Sequence, residues 1–229
     1  MKKIFAFILA LSILFSLSAC SELGALKDLV SNISDIAEDW EKYSEARAKL
    51  IDYKLTIESV NSDGDKEIVT EMRCEDGYAL IQKDSIIYVE YGTGKYYMLS
   101  ETDKTGTMLT LSSDESYKSF SLAITGYILL FETYRIMGAK EDGSEKITGR
   151  QTTRYKLDKD DNEYKFWVDK EYGMTMKYTT TEKDSLSSME VTEFKIGGIK
   201  LSDMVNINDY KIEDFASNLN SDSNSNSDE

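Results

Sequence analysis

Between residues 53 and 196, most of the chain consists of short segments in which apolar and polar side chains alternate, with turn sequences between them. Tyr53, Leu55 and Ile57 alternate with polar residues, and the turn sequence 61–65 (NSDGD) follows. The other segments are 68–74, Tyr78–Gln82, Ile86–Tyr91, Lys95–Ser100, Thr107–Leu111, Ile147–Leu157, Glu163–Asp169, Met174–Thr181 and Ser188–Ile196. Because parallel neighbours need crossovers of a dozen or more residues, these short connections predict antiparallel meanders with one apolar face.

Two stretches change to a three- to four-residue period, which predicts helices over 21–50 and 114–137. The second is apolar on most sides, as is typical of a buried helix. A membrane span is the weaker alternative, because charged residues such as Lys118 and Glu132 interrupt it. The order helix, meander, helix, meander predicts one α+β domain over 20–216. The tail 217–229 is too polar to fold, and we expect it to be disordered and dispensable for stability.

The first twenty residues have the layout of a secretory signal: a basic start, an apolar run from Ile4 to Phe15, and small residues before Cys20. The sequence Leu-Ser-Ala-Cys at 17–20 resembles the lipobox of bacterial lipoproteins. The resemblance implies that residues 1–19 are removed as a signal peptide and that Cys20 carries the lipid. An ordinary secretory peptide that happens to contain a cysteine is the alternative. We therefore expect lipid anchoring to the cell membrane on its extracytoplasmic side.

Composition excludes several classes of function. The chain carries 42 Asp and Glu against 27 Lys and Arg, a formal net charge of −15, and such a protein has no electrostatic basis for binding nucleic acid. It contains no histidine, so imidazole catalysis and histidine metal ligation are excluded. Cys74 is the one cysteine besides Cys20, and its place on an apolar strand face favours a buried small side chain over a reactive thiol.

Sequence motifs for catalysis are equally sparse. The segment Asp158–Asn162 starts like a calcium loop, but Glu163 stands where the loop needs glycine, so a hairpin turn is favoured. Residues 92–95 (GTGK) lack the spacing of a phosphate-binding loop. Paired acids such as Glu71 and Glu75 are explained by an acidic surface. We predict a protein that is not an enzyme and needs neither cofactor nor metal.

The segment 149–178 carries a pattern with Trp167, Asp169, Gly173 and Lys177 in the arrangement W-x-D-x-x-x-G-x-x-x-K. This pattern resembles a hairpin of the LolA-like superfamily, which includes periplasmic lipoprotein carriers and the mycobacterial LppX-type lipoproteins. The resemblance implies a curved antiparallel sheet, an open half-barrel, with the N-terminal and central helices packed on its concave face and an apolar cavity between sheet and helix. The chain departs from the family in lacking proline.

From this resemblance we expect a membrane-anchored lipoprotein that binds or carries a lipid or acyl chain. The expected lining comprises apolar residues of the central helix and of the strands opposite: Ile87, Val89, Tyr91, Phe120, Ile124, Tyr127, Ile128, Phe131, Phe166, Met176 and Val191. The same side chains would serve equally well in a filled core, since Met and aromatic residues suit both. The alternative is therefore a non-enzymatic envelope module with a filled core that binds a protein partner. Open volume distinguishes the two.

Overall fold

A computed structural model describes residues 39, 43–110, 131–182 and 185–215. Twelve strands account for most of them. They are β1 (Tyr53–Val60), β2 (Lys66–Cys74), β3 (Gly77–Ile81), β4 (Ser85–Glu90), β5 (Lys95–Ser100), β6 (Thr105–Thr110), β7 (Lys140–Ile147), β8 (Arg150–Lys159), β9 (Asn162–Asp169), β10 (Thr175–Glu182), β11 (Ser185–Ile196) and β12 (Lys211–Asp214). Short helical segments occupy 43–48 and 131–136, and two 3-10 helices occupy Leu201–Asp203 and Ile207–Asp209.

All twelve strands belong to one sheet, in the order β12-β6-β5-β4-β3-β2-β1-β11-β10-β9-β8-β7. Neighbours along each meander pair antiparallel, and β1 joins the two meanders by pairing with β11. The β12 strand pairs parallel with β6, so the sheet is mixed. Because β12 and β7 lie at opposite edges, the sheet is open.

The predicted α+β half-barrel with a central apolar helix on a concave, purely antiparallel sheet is wrong. The described residues form one mixed twelve-stranded sheet, and their helical segments are only a turn or two long. Of the predicted helix 114–137, the structure describes 131–137, and helix ends at 136. Periodicity detects a candidate helix but not the pairing partner of a strand, which long-range contacts determine. None of the described helices is long and apolar enough to cross a membrane.

The strand predictions hold with three exceptions. The sequence predicted no strand over 211–214, where β12 lies. It also predicted none before Ile147, yet 140–146 form most of β7, an edge strand exposed at every position except Ile147. The segment 147–157 was expected to be one strand, but a tight turn at Thr148 and Gly149 separates β7 from β8. An edge strand exposed on both faces carries no apolar alternation, so period alone does not reveal it. The signal 1–19, Cys20 and the tail 217–229 lie outside the described residues.

The two faces of the sheet are covered differently. We call the face that bears Leu55 face A and the opposite one face B. On face B of β2–β6, the C-terminal strap (residues 199–210) packs on the sheet, and Ile199 and Met204 are buried against Met72 and Tyr88. Two backbone N–H groups hold the start of the strap, because Gly198 and Ile199 donate to the Asp52 carboxylate at 2.8 and 3.0 Å.

Glycines in the strands make room for the C-terminal residues. A Cβ atom added to Gly77 would overlap the Leu201 side chain of the strap and would lie 2.6 Å from the Val89 carbonyl oxygen. Gly106 has the same function for β12, since its Cβ would lie 3.0 Å from Ile212 Cδ1. Close approach therefore requires glycine at both positions.

We expect Gly77→Ala to destabilise the protein by about 1–3 kcal/mol, because the added methyl group forces the strap and a strand backbone apart. Gly92→Ala is the matched control, since no heavy atom lies within 4 Å of its added Cβ, and it should change stability by less than about 0.5 kcal/mol. Urea unfolding of both variants measures the difference. Equal stabilities would show that the strap does not press on Gly77.

Candidate functional site

The described strand residues of the expected lining, apart from Met176, share face A. Two residues paired across neighbouring antiparallel strands point to the same face of the sheet. Leu55 pairs with Glu71, Glu71 with Leu80, and Leu80 with Ile87, so all four lie on face A. Val191 pairs with Ile57, two residues after Leu55. Met189, two residues before Val191, pairs with Tyr178, and Tyr178 pairs with Phe166, which therefore also lies on face A. Phe120, Ile124, Tyr127 and Ile128 lie outside the described residues.

Around Phe166 the lining residues form an aromatic cluster. The rings of Phe131, Tyr134 and Tyr178 have centroids 5.7, 4.9 and 5.1 Å from that of Phe166, which has no exposed surface. Phe131 also packs on Tyr155, at 4.8 Å. These are ordinary packing distances between aromatic rings. The helical segment 131–136 is thus held on face A of β8–β10 by the chain's own side chains.

A second cluster lies at the centre of the sheet. Met176 and Val191 have exposures of 0 and 1% and pack with other buried residues. The cluster comprises Leu50, Tyr53, Leu55, Ile57, Ile147, Trp167, Met174, Met176, Met189 and Val191. Met176 is the extra residue of a β-bulge between β9 and β10, which explains why simple alternation does not fix its direction.

The third cluster contains Ile87, Val89 and Tyr91. Its buried members are Tyr78, Leu80, Val89 and Tyr91, and Val69, Ile87 and Tyr96 pack against them. Every one of these residues comes from β2–β5 or, for Tyr91, from the position just after β4. We call it the β2–β5 surface. It differs from the aromatic cluster, which includes residues of a helical segment.

Glu71 was assigned to an acidic surface on sequence grounds, and this assignment is wrong. Its side chain has no exposed area and lies on face A between Leu55 and Leu80. Tyr53 donates a short hydrogen bond to Glu71 Oε1, and the Tyr78 hydroxyl donates to Oε2 at 3.3 Å. Two phenol donors satisfy much of the hydrogen-bonding capacity that a buried carboxylate loses on leaving water. The clue was its strand, which carries apolar side chains on both faces, with Val69 two residues before Glu71 on the same face and Met72 on the other.

The W-x-D-x-x-x-G pattern is explained by the β9–β10 hairpin. Asp169, 1% exposed, accepts hydrogen bonds from Arg150 at 2.6 and 3.1 Å. Its Oδ1 also accepts from the backbone N–H groups of Glu171 and Tyr172, which closes the turn. Trp167 donates from Nε1 to Glu145 Oε2 at 2.8 Å and so ties β9 to the edge strand β7. These contacts are structural and involve no exposed reactive group.

Gly173 completes the turn and accommodates the N-terminal segment. Its φ is +60°, and a Cβ there would overlap the ring of Tyr43. Nearby, Arg47 donates to the Tyr172 carbonyl oxygen at 3.0 Å. The helical segment 43–48 therefore docks on the β9–β10 turn through one ring and one guanidinium group.

A group of charged side chains lies between the two helical segments. Arg135 contacts Asp39 at 3.0 Å and Glu132 at 3.5 Å. Burial raises the pKa of the Glu132 carboxyl to about 7, an effect that outweighs the opposing attraction of Arg135. Burial also lowers the pKa of Arg47 and raises that of Tyr43 to about 12.

The described residues offer little for a metal site or a nucleophilic thiol. They contain no group of three or more Cys, Asp and Glu placed to hold a metal ion. Cys74 is buried, and burial raises the pKa of its thiol, which disfavours the nucleophilic thiolate. Asp160 and Asp161 lie in the β8–β9 hairpin turn, and 92–94 form the β4–β5 turn, as the sequence predicted.

Comparison with known proteins gives no family. No protein-family model matches the chain, and no curated protein matches it. An uncharacterized conserved protein from Thermus thermophilus superposes with a TM-score of 0.45 at 6% identity, over 79% of this chain and 99% of that one. MucB superposes less fully, with TM-scores of 0.44 in the Pseudomonas aeruginosa MucA/MucB complex and 0.43 in the complex with MucA(peri).

The two MucB likenesses have 14 and 15% identity and cover 72% of this chain but only 58 and 57% of MucB. At these scores and identities, the likenesses assign neither a family nor an activity to this chain. The resemblance of the 149–178 segment to the LolA-like superfamily stays a prediction from sequence.

We expect Gly173→Ala to cost more than Gly149→Ala. Both glycines have positive φ, which costs an alanine about 1–2 kcal/mol, but an added Cβ at Gly149 contacts nothing within 4 Å. At Gly173 the overlap with Tyr43 adds about 1–3 kcal/mol. Urea unfolding of both variants, and of Gly173→Ala combined with Tyr43→Ala, isolates that extra cost as a coupling energy. A coupling energy near zero would mean that Tyr43 does not dock on the turn.

Proposed function

We propose that this protein is a lipid-anchored, extracytoplasmic and non-enzymatic module of the cell envelope, which acts by binding a protein partner. The packing of the expected lining supports this function over that of a lipid carrier. Phe131, Phe166, Met176 and Val191 have exposures between 0 and 2% and pack against other side chains of the chain. Side chains that are buried against one another in this way favour a filled core over a cavity for an acyl chain.

The proposed anchor is Cys20. The lipobox-like sequence at 17–20 supports it, and the diacylglycerol on the thiol would by itself provide the two hydrophobic chains that stable membrane association needs. The large excess of acidic residues favours a partner with a basic contact surface, because the field of the whole domain attracts it.

Substituting Cys20→Ser tests the anchor. We expect the variant to lose incorporation of radiolabelled fatty acid and to keep its signal segment, because the modified thiol is what the lipoprotein peptidase acts on. Ser16→Ala, in the same segment but outside the lipobox-like sequence, should be labelled and cleaved normally. Normal labelling of Cys20→Ser would refute the anchor.

A second function, binding of an apolar ligand, is favoured by the β2–β5 surface. Its seven described apolar side chains all come from the sheet, four of them are buried, and the buried Glu71 with its tyrosine partners lies at its border. Such a combination of apolar area with a few polar groups is typical of small-molecule sites. A ligand bound there would contact Ile87 and Val89 on face A.

Titration with a fluorescent fatty acid and mass spectrometry of the purified protein distinguish the two functions. For the protein-binding module we expect no saturable binding and no extractable lipid. Saturable binding that Ile87→Trp abolishes would instead establish the ligand site. Ile68→Trp is the control, since Ile68 is 54% exposed on face B and its substitution should leave any binding unchanged.

A further inference from the structure

The docking of the N-terminal segment depends on few described contacts. We use the name N-terminal latch for Asp39 together with the helical segment 43–48. Asp39 contacts Arg135 at 3.0 Å, Arg47 donates to the Tyr172 carbonyl oxygen at 3.0 Å, and the ring of Tyr43 lies against Gly173. The Asp39 contact joins the latch to the helical segment 131–136, and the contacts of Arg47 and Tyr43 join it to the β9–β10 turn.

Arg135 is shared between the latch and a buried acid. Its Nη2 contacts Asp39, and its Nη1 contacts Glu132 at the longer distance of 3.5 Å. Glu132 is only 8% exposed, whereas the Asp39 side chain is 34% exposed. A charge on Glu132 thus competes with Asp39 for one guanidinium group and must exist where little water can reach it.

We propose that the N-terminal latch is controlled by pH, closed while Glu132 is protonated and released when Glu132 ionises. With a proton on Glu132, Arg135 pairs with Asp39 alone and holds the latch. With Glu132 charged, opening of the latch gives the carboxylate access to water, so ionisation and opening favour each other.

The direction of the pH effect follows from the groups that face Glu132. These are Arg135 on its own segment, Asp39 and Arg47 on the latch, and Tyr155 on β8. Burial dominates over the two arginines and raises the pKa of Glu132 from 4.5 to about 7 when the latch is docked. Because the closed state binds the proton more tightly, its stabilisation is fully present below the ordinary pKa of 4.5 and is lost as pH rises from there to about 7.

Latch opening would change the reach of the anchor, a consequence that rests on the lipidation of Cys20. Asp39 lies 39 − 20 = 19 residues after Cys20. Releasing 43–48 would free six further residues between Cys20 and the sheet, or up to about 20 Å when extended. The domain would then move further from the membrane at alkaline pH and bind partners at a greater distance.

Hydrogen–deuterium exchange of the full chain, expressed with its own signal and purified in detergent, tests the latch. Peptides covering 43–48 are followed from pH 5.5 to 8.5, with exchange times corrected for the intrinsic pH dependence of amide exchange. We expect their protection to fall by about tenfold or more between pH 5.5 and pH 7 and to level off above that pH. Peptides from β8 and β9 report global opening and should stay protected throughout.

Two variants assign the effect to Glu132. Glu132→Gln, which mimics the protonated side chain, should keep the latch protected at every pH, with less than a twofold change. Glu132→Met is a second neutral variant, in case the amide perturbs folding. Glu45→Gln removes an exposed carboxylate from the latch itself and should keep the wild-type profile.

Protection that does not change with pH in the wild type would overturn the proposal. So would a wild-type profile in both Glu132 variants, or a parallel loss of protection in β8 and β9. None of these results depends on lipid attachment. The fatty-acid labelling of Cys20 therefore succeeds or fails separately from the latch.

Discussion

The pairing of β1 with β11 is the interaction on which the rest of the structure depends. It joins residues as far apart as Tyr53 and Ile196 and turns two local meanders into one sheet. Each meander forms through short hairpins, but this pairing closes a loop of about 140 residues, which costs entropy before any contact compensates for it. The central apolar cluster, with Leu55, Ile57 and Val191, lies across this junction and provides that compensation.

Once the sheet is joined, three buried carboxylates mark where other parts of the chain meet it. Asp169 closes the β9–β10 turn, Glu71 takes hydrogen bonds from two tyrosines on face A, and Glu132 lies beneath the N-terminal latch. Asp169 and Glu71 have donors within the sheet. Glu132 shares Arg135, which lies 3.5 Å away, with Asp39, and burial raises the pKa of its carboxyl to about 7. A strongly acidic chain thus uses a few acids internally, each in a different electrostatic setting.

Sequence reasoning succeeded where neighbouring residues determine the structure. Turn residues located the hairpins at 61–65 and 92–94, and period two located most strands. It placed Ile87, Phe166 and Val191 on an apolar face, but it could not separate three packed clusters from one cavity. It failed for β7, whose exposed side chains show no alternation, and for Glu71, whose two tyrosine partners come from other strands. The half-barrel failed because a hairpin motif carries no information about distant strand pairs.

The sequence alone was enough for most of the strands, for the turns between them and for the absence of histidine, since each follows from neighbouring residues or from composition. It also contains the lipobox-like segment on which the proposed anchor rests. Only the tertiary structure decided that Phe131 packs on Phe166, that Gly173 must be small for Tyr43, and that Glu132 shares Arg135 with Asp39. The physical reason is that burial, and with it the pKa of Glu132, arises between elements that are far apart in the chain.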